Sequence, residues 1–269
     1  MNTNKLLNLF HEQEKEQGFL QLEGAKNVSY DRQYFMGAVN HLQINGEGYY
    51  LKAVSPKELD AELILGPIYK KHFKSAIYLP ARHGNFIETI SNDVLGQDCL
   101  VASNYFKMLR NTLGQDINPF LLTTQNPVIF DDFVEDNAMR QMIIRDCLNL
   151  GFKNWDGHKG NFAVRIVNGR VAEIIGFDNE ASAVPSDKKF HNIISEKRLD
   201  YQGMLQEYQS NEIYRQFILP TELAEIVGSV DIDGTAERYT QLTGHNFDQD
   251  YLDEMKFSTN KLAEDLEHC

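Results

Sequence analysis

The sequence predicts an α+β fold with two lobes, a β-rich lobe over residues 1–93 and a helix-rich lobe over residues 94–269. Short runs of alternating apolar residues, joined by turn signals, fill much of the first third of the chain, whereas apolar residues recur at helical spacing in most of the rest. With 269 residues, 42% of them hydrophobic, the chain can bury a substantial core. We therefore expect one functional unit built from two differently composed halves.

The first lobe is predicted to be mostly antiparallel sheet behind an amphipathic N-terminal helix over residues 1–20. Its clearest turn is Asn45-Gly46, which separates two runs of alternating apolar residues, and Asn-Gly in that setting is the strongest short signal for a hairpin. Ser55-Pro56 has the form of a helix start, a capping residue followed by proline, and the predicted helix runs to Gly66-Pro67. The strands of this lobe are expected within residues 28–54, 77–80 and 85–90.

The second lobe is predicted to be helical apart from one hairpin. Its clearest helix spans Asp136 to Leu150, where apolar residues form a broad stripe and Gly151 follows as a stop signal. The hairpin comes next, with Asn168-Gly169 as its turn. Its strands are expected over residues 161–166 and 170–175, and further helices over residues 100–113, 201–217, 220–227 and 246–266.

The charge and the cysteine pattern limit the classes of partner. A formal net charge of −13 argues against a protein that grips nucleic acid or an anionic membrane, since both require a basic surface. The 3 cysteines are widely spaced and form no C-x-x-C pair, which indicates neither a disulfide framework nor a zinc ribbon. The chain also lacks the run of about 18 apolar residues that a transmembrane helix needs. These features predict a cytoplasmic protein without a nucleic-acid partner, and they leave open an action in a host cytosol as a secreted effector.

The clearest chemical pattern lies in the loop over residues 154–162, between the long apolar helix and the hairpin. This loop contains Asp156, His158 and Asn161. The second strand of the hairpin then ends in an apolar run that leads directly to Asp178. Because a hairpin returns the chain to its starting level, we expect Asp178 to lie beside Asn161.

Phosphoryl transfer needs this set of groups. One carboxylate must orient the attacking hydroxyl and accept its proton, and hard oxygen ligands must hold the Mg²⁺ ions that neutralise the phosphates. Asp156 fits the first role. Asn161 and Asp178 fit the second, because an amide oxygen and a carboxylate leave room for phosphate oxygens and water around an octahedral ion.

The loop resembles the D-x-H-x-x-N catalytic loop of the atypical kinases, a group that includes the HipA-type Ser/Thr kinases, the actin-fragmin kinase and the phosphatidylinositol 3- and 4-kinases. Asp156, His158 and Asn161 match that loop, Asp178 matches the metal-binding aspartate that follows it, and Gly157 stands where those families usually have arginine. The resemblance implies a two-lobed protein-kinase-like fold that uses ATP and Mg²⁺ or Mn²⁺. It also implies a scaffolding role for His158, which would hydrogen-bond the backbone near the metal-binding aspartate.

The resemblance extends upstream to a lysine on a strand. Lys52 would reach the α- and β-phosphates of ATP, and Glu62 in the following helix is its expected ion-pair partner, with Glu58 as the alternative. The other interpretation of these positions is an exposed strand lysine and a solvated glutamate. The chain lacks a G-x-G-x-x-G motif, and a phosphate-covering loop is expected around residues 27–32, where Ser29 offers its hydroxyl and its backbone N–H.

These residues predict an ATP-dependent kinase that transfers the γ-phosphoryl group to a hydroxyl, with protein Ser or Thr as the favoured acceptor. A phosphoinositide or a small molecule is the alternative acceptor. Two other classes stay open. One is a metal-dependent phosphoesterase that holds two metals through Asp156, His158 and the region of Asn246. The other is a catalytically silent kinase-like binding module, which Gly157 and the missing glycine motif would explain, and the oligomeric state is left open.

Overall fold

The computed structural model describes residues 28–31, 39–44, 47–53, 56–75, 77–81, 85–89, 99–113, 133–154, 161–177 and 201–268. Outside these residues lie the predicted helix over residues 1–20, the predicted lobe boundary at residue 93, and the positions of Asp156, His158 and Asp178. The described residues form a mixture of helices and strands, which confirms the predicted α+β class.

Nine strands lie within the described residues and form two sheets. In chain order they are β1 (Val28–Asp31), β2 (Val39–Ile44), β3 (Glu47–Ala53), β4 (Lys74–Ser75), β5 (Ile77–Ala81), β6 (Asn85–Thr89), β7 (Cys99–Val101), β8 (Phe162–Val167) and β9 (Arg170–Gly176). The first sheet has the order β1-β2-β3-β6-β5, and its pairings are antiparallel, as predicted. Residues 28–31 form its first strand, so the prediction of a loop around residues 27–32 is wrong for this segment.

The second sheet joins parts of the chain that are far apart in sequence. Its order is β4-β9-β8-β7, with β4 parallel to β9 and the other pairs antiparallel. The prediction of a helix from residue 100 is wrong at its start, because residues 99–101 pair with β8 and the helix begins at Ala102. Pairing with the hairpin here outweighs the helical spacing of the apolar residues.

Eight helices lie in the same part of the chain. In chain order they are α1 (Pro56–Tyr69), α2 (Ala102–Leu113), α3 (Asp136–Gly151), α4 (Tyr201–Ser210), α5 (Glu212–Phe217), α6 (Pro220–Gly228), α7 (Ile232–Thr243) and α8 (Gln249–Glu267). None of these helices combines the length and the apolar character that crossing a membrane would require.

Helix α1 is buried on nearly all sides from Leu59 onward. Residues 61–65 are fully buried, and the helix contacts β4, β5 and α7. The prediction that it ends at Gly66-Pro67 is wrong, since the helix continues through Pro67 to Tyr69. Proline removes one backbone hydrogen bond from a helix, and burial of the last turn in the core outweighs that loss.

Helix α3 ends in a Schellman motif in which a lysine takes the place usually held by glycine. The N–H of Lys153 donates to the carbonyl oxygen of Leu150 over 3.2 Å, and the N–H of Asn154 donates to that of Asn149 over 2.7 Å. Lys153 has a φ of 51°, in the left-handed region that most residues avoid. The backbone at the exit of α3 is therefore held in a conformation that its sequence does not favour.

Gly151 is the last residue of α3, but it is not the left-handed cap that the stop signal predicted. A Cβ atom at this position would lie 3.3 Å from Cδ2 of Leu262 and 3.4 Å from Cγ2 of Thr259. The glycine therefore permits the close approach of α8 to the end of α3.

The C-terminal region contains more helices than the periodicity predicted. The single helix expected over residues 201–217 is two helices, because the side chain of Asn211 accepts hydrogen bonds from the N–H groups of Ile213 and Tyr214 and starts α5. Helix α7 was not predicted. Helix α8 begins after Asp248, which caps it, rather than at Asn246.

Candidate active site

Strands β8 and β9 form the hairpin that the sequence predicted. Asn168 and Gly169 occupy its turn with φ values of 53° and 80°, as a two-residue type I′ turn requires. At the open end of the hairpin, Phe162 pairs with Gly176. The register is shifted between Arg165 and Ile166, and it is regular from there to the open end.

The backbone contact next to this open end joins Asn161 to the residue that precedes Asp178. The N–H of Phe177 donates a 3.2 Å hydrogen bond to the carbonyl oxygen of Asn161. Asp178 is the next residue along the chain. The hairpin therefore brings Asn161, one predicted metal ligand, into backbone contact with the residue directly before Asp178, the other predicted ligand.

Asn161 is itself buried, with 5% of its surface exposed, and so is the start of β8. The guanidinium of Arg145 in α3 lies 4.4 Å from the centre of the Phe162 ring, close enough for a cation–π interaction. Arg145 is 2% exposed, and its Nη1 lies 3.4 Å from Oδ1 of Asp146. Burial lowers the pKa of Arg145, and the Asp146 carboxylate opposes this effect. A buried positive charge thus lies under the residue that follows Asn161.

The end of β9 is also fixed from its other side. Ser75 pairs with Gly176 in parallel register, and the Ser75 hydroxyl donates a 3.4 Å hydrogen bond to the carbonyl oxygen of Gly176. Near them, Lys74 forms a 2.9 Å ion pair with Glu173. The segment after α1 therefore holds the strand that delivers the chain to Asp178.

The predicted loop begins at Asn154, which is buried together with Asn149. Nδ2 of Asn154 donates a 3.2 Å hydrogen bond to Oδ1 of Asn149, which also accepts a hydrogen bond from the hydroxyl of Tyr69. Both ends of the segment over residues 155–160 are therefore anchored by buried polar contacts, at Asn154 and at Asn161.

Glu62 lies inside the protein. It is 0% exposed, so the interpretation of this residue as part of a solvated helix face is wrong, whereas Glu58 is partly exposed. A carboxylate in such a setting needs a cation or hydrogen-bond donors. Lys52, its predicted partner, lies on β3, where the backbone pairs with β2 on one side and β6 on the other.

Of the remaining predicted site residues, only Ser29 lies within the described ranges, and the structure gives its strand pairing. Ser29 lies on β1 opposite Gln43. The structure describes no grouping of three or more His, Cys, Asp or Glu side chains that could hold a metal, within the ranges given above. Amide oxygens suit Mg²⁺, and the buried Asn161 offers one, whereas Asp178 lies outside the described residues.

A buried contact of Asp60 was missed by the sequence reasoning. Oδ1 of Asp60 lies 2.6 Å from Nε2 of His245, and Oδ2 accepts a 3.0 Å hydrogen bond from the N–H of Asp248. The sequence feature that could have indicated this contact is Asp60 itself, an acidic residue among the apolar residues of α1. The region of Asn246, considered above for a two-metal phosphoesterase, therefore has a structural explanation as the turn that holds α1.

Comparison with known proteins gives a fold-level relationship. No protein-family model and no curated protein matches the sequence. Among solved structures, the proinflammatory kinase CtkA of Helicobacter pylori matches with a TM-score of 0.50 and 16% identity, over 90% of this chain and 97% of that one.

Two further structures match with lower similarity. The choline kinase LicA of Streptococcus pneumoniae has a TM-score of 0.29 and 11% identity, over 96% of this chain and 100% of that one. The aminoglycoside phosphotransferase APH(4)-Ia has a TM-score of 0.27 and 13% identity, over 89% of this chain and 94% of that one. Because these TM-scores are low, the assignment of fold depends on the first match alone. The likeness to CtkA shows that this chain has a kinase-like fold.

Proposed function

We propose that this protein is an ATP- and metal-dependent phosphotransferase that transfers the γ-phosphoryl group to a hydroxyl, with protein Ser or Thr as the favoured acceptor. The proposal rests on the hydrogen bond between the Phe177 N–H and the Asn161 carbonyl oxygen. In this contact, the residue directly before Asp178 lies beside Asn161. The kinase-like fold gives this contact its chemical context. A hairpin alone would be compatible with many functions.

The proposed mechanism gives each predicted residue one task. Bound ATP supplies the phosphoryl group, and a bound Mg²⁺ or Mn²⁺ ion neutralises its charge. Asn161 and Asp178 would hold the metal. Asp156 would orient the acceptor hydroxyl and take its proton as its oxygen bonds to the γ-phosphorus, while the bond from that phosphorus to the bridging oxygen breaks and ADP leaves. His158 would keep the loop backbone in place.

The nucleotide-binding residues come from the first sheet and α1. Lys52 on β3 would contact the α- and β-phosphates, and Ser29 on β1 would contribute a phosphate contact. Glu62 would orient Lys52, and its complete burial supports that role over a solvated one. An ion pair inside the protein has a fixed geometry, which a kinase needs to position ATP.

Protein is favoured as the acceptor because of charge. With a net charge of −13, the chain is poorly suited to an anionic lipid surface, where a phosphoinositide would be presented. A small-molecule acceptor remains the alternative. The identity of the labelled product separates these acceptors.

The test is transfer of label from γ-labelled ATP. The full chain is incubated with Mg²⁺ or Mn²⁺, alone and with a cell lysate, and the label is traced to protein, lipid or small molecule. We expect metal-dependent label on protein, and a loss of about 100-fold or more in Asp156→Asn, since general-base catalysis contributes at this level. Asp136→Asn, an exposed aspartate of the same chain, is the matched control and retains activity.

Each other outcome has a distinct meaning. Metal-dependent ATP binding without transfer would identify a silent kinase-like module and refute the proposed activity. Label in lipid would keep the phosphotransferase and replace its acceptor. If the protein shows no ATP binding and no transfer, the proposal as a whole is contradicted.

A further inference from the structure

Three buried polar residues connect the end of helix α1 to the end of α3 and to Asn154. The hydroxyl of Tyr69, the last residue of α1, donates a 2.5 Å hydrogen bond to Oδ1 of Asn149 in α3. The same oxygen accepts a 3.2 Å hydrogen bond from Nδ2 of Asn154. The N–H of Asn154 donates to the Asn149 carbonyl oxygen over 2.7 Å. Asn154 is thus held by both its backbone and its side chain.

All three residues lie in the interior. Tyr69 is 0% exposed, and Asn149 and Asn154 are each 7% exposed. Two donors reach Oδ1 of Asn149, which matches the two acceptor positions of an amide oxygen. Burial raises the pKa of Tyr69, so its hydroxyl stays protonated and donates at neutral pH.

Packing alone does not require the hydroxyl of Tyr69. The neighbouring rings of Phe73 and Phe152 lie with centroids 5.2 Å and 6.3 Å from its own ring, and both are phenylalanines in the same core. A phenylalanine at position 69 would fill the same volume, and burying a hydroxyl is costly unless it is hydrogen-bonded. The hydroxyl therefore serves its contact with Asn149.

The conformation of Lys153 shows that the backbone is also constrained directly before Asn154. Its left-handed backbone, with φ of 51°, is unfavourable for a residue with a side chain and is held by the hydrogen bond from Asn154 to Asn149. The ion pair of Lys153 with Glu254, at 3.0 Å, holds the same residue from α8. The chain thus leaves α3 in one fixed direction.

We propose that Tyr69 and Asn149 are positioning residues that fix Asn154, from which the chain continues to Asp156, relative to α1. This inference rests on the proposed function, because Asp156 needs a fixed position only if it acts on a hydroxyl. It adds a coupling within that function. Glu62 lies about two helical turns before Tyr69 on the same helix, so a displacement of α1 would alter both the lysine partner and the loop.

The experiment compares Tyr69→Phe and Asn149→Ala with the wild-type full chain. We expect kcat for phosphoryl transfer to fall by about 10- to 100-fold, the scale at which misplacement of catalytic groups acts. The KM for ATP should change by less than about threefold, since nucleotide contacts are kept. Hydrogen exchange at the amides of residues 155–160 should become faster in both variants, and this readout does not depend on activity.

Two further variants make the result specific. Tyr105→Phe is the matched control, because Tyr105 is another buried tyrosine whose hydroxyl donates a 3.2 Å hydrogen bond, to the carbonyl oxygen of Phe133. It should retain kcat and loop exchange. Asn149→Asp keeps an acceptor oxygen for both donors and should recover most of the activity that Asn149→Ala loses.

The inference is overturned if Tyr69→Phe and Asn149→Ala both keep wild-type kcat and wild-type exchange in the loop. It is also overturned if Tyr105→Phe loses as much activity as Tyr69→Phe, because the effect would then be general to buried tyrosines. Should the wild type transfer no phosphate, the proposed function fails, and the exchange measurement still decides whether the three residues hold the loop.

Discussion

Gly176 and Phe73 approach so closely that a Cβ atom at position 176 would lie 2.9 Å from Cε2 of Phe73. Phe73 is 4% exposed and packs against the Tyr69 ring, so it has little room to move. Gly176 is the last residue of β9, two positions before Asp178. The shape of the core at this point therefore affects the strand end that carries the proposed metal ligand.

The first prediction concerns Gly176→Ala. The new methyl group must displace the Phe73 ring or the end of β9, and overpacking of this kind typically costs about 1–3 kcal/mol in the free energy of unfolding. Urea denaturation measures this loss. Gly228→Ala is the control, because its Cβ would lie 3.5 Å from Cβ of Ala263, an ordinary contact, and its stability should be unchanged or higher. Equal stability of Gly176→Ala and wild type would show that the core yields at this point.

The second prediction concerns Asp60→Ala. Asp60 is 3% exposed, and its removal leaves His245 and the N–H of Asp248 without this buried acceptor. We expect the free energy of unfolding to fall by about 1–3 kcal/mol, the cost of stranded buried polar groups. Asp233→Ala is the control, since its ion pair with Lys256 is exposed and surface pairs contribute under about 1 kcal/mol. If both variants lower the free energy of unfolding equally, the buried Asp60 contact stabilises the protein no more than a surface ion pair does.

The third prediction concerns the left-handed residue Lys153. Glycine adopts this conformation without steric cost, so Lys153→Gly should raise the free energy of unfolding by up to about 1 kcal/mol. Lys153→Val should lower it by about 1 kcal/mol or more, because β-branched residues fit this region worst. Lys153→Gln separates the lost ion pair with Glu254 from the backbone effect. The reverse order of glycine and valine in thermal denaturation would exclude this explanation.

The fourth prediction is a pH dependence at the ion pair between Arg140 and Glu222. Nη1 of Arg140 donates a 3.1 Å hydrogen bond to Oε2 of Glu222, and Nη2 contacts Oε1. This hydrogen bonding lowers the pKa of Glu222 below its ordinary value of 4.5. A lowered pKa in the folded state stabilises the protein above pH 4.5, and the stabilisation is lost as the pH falls through the folded value.

Glu222→Gln should therefore reduce stability at neutral pH and have less effect in acid. Both side chains are more than a third exposed, so the difference at pH 7 should be under about 1 kcal/mol. It should shrink towards zero as the pH falls through the lowered pKa of Glu222 in the folded protein. Glu237→Gln, at an exposed glutamate of α7, should show no such dependence. A difference that stays constant from neutral to acid would rule out the ionised pair as its source.

The parts of the fold that the sequence predicted are those encoded locally. Asn168-Gly169 predicted the hairpin because left-handed φ values at two adjacent residues are a property of the turn itself. Helix α3 was predicted within one residue at its end, because its apolar stripe spans four turns. The position of Asn161 at the start of the hairpin was predicted for the same reason, whereas its role as a metal ligand stays a prediction.

The parts that were missed depend on distant contacts. β4 has only two residues and exists because it pairs with β9, which lies about a hundred residues later. Asp60 meets His245 only in the folded chain, and Tyr69 reaches Asn149 in the same way. For Glu62, a solvated face and a buried ion pair looked equally good in the sequence, because neither periodicity nor composition indicates that α1 is buried on nearly all sides.

The most direct test of the central claim is Mn²⁺ binding in the presence of a non-hydrolysable ATP analogue, followed by electron paramagnetic resonance. If Asn161 and Asp178 hold the metal, Asn161→Ala and Asp178→Asn should each weaken Mn²⁺ binding by about tenfold or more. Asp250→Asn, at an exposed aspartate of α8, should bind Mn²⁺ as the wild type does. Wild-type affinity in both the Asn161 and Asp178 variants would contradict the account.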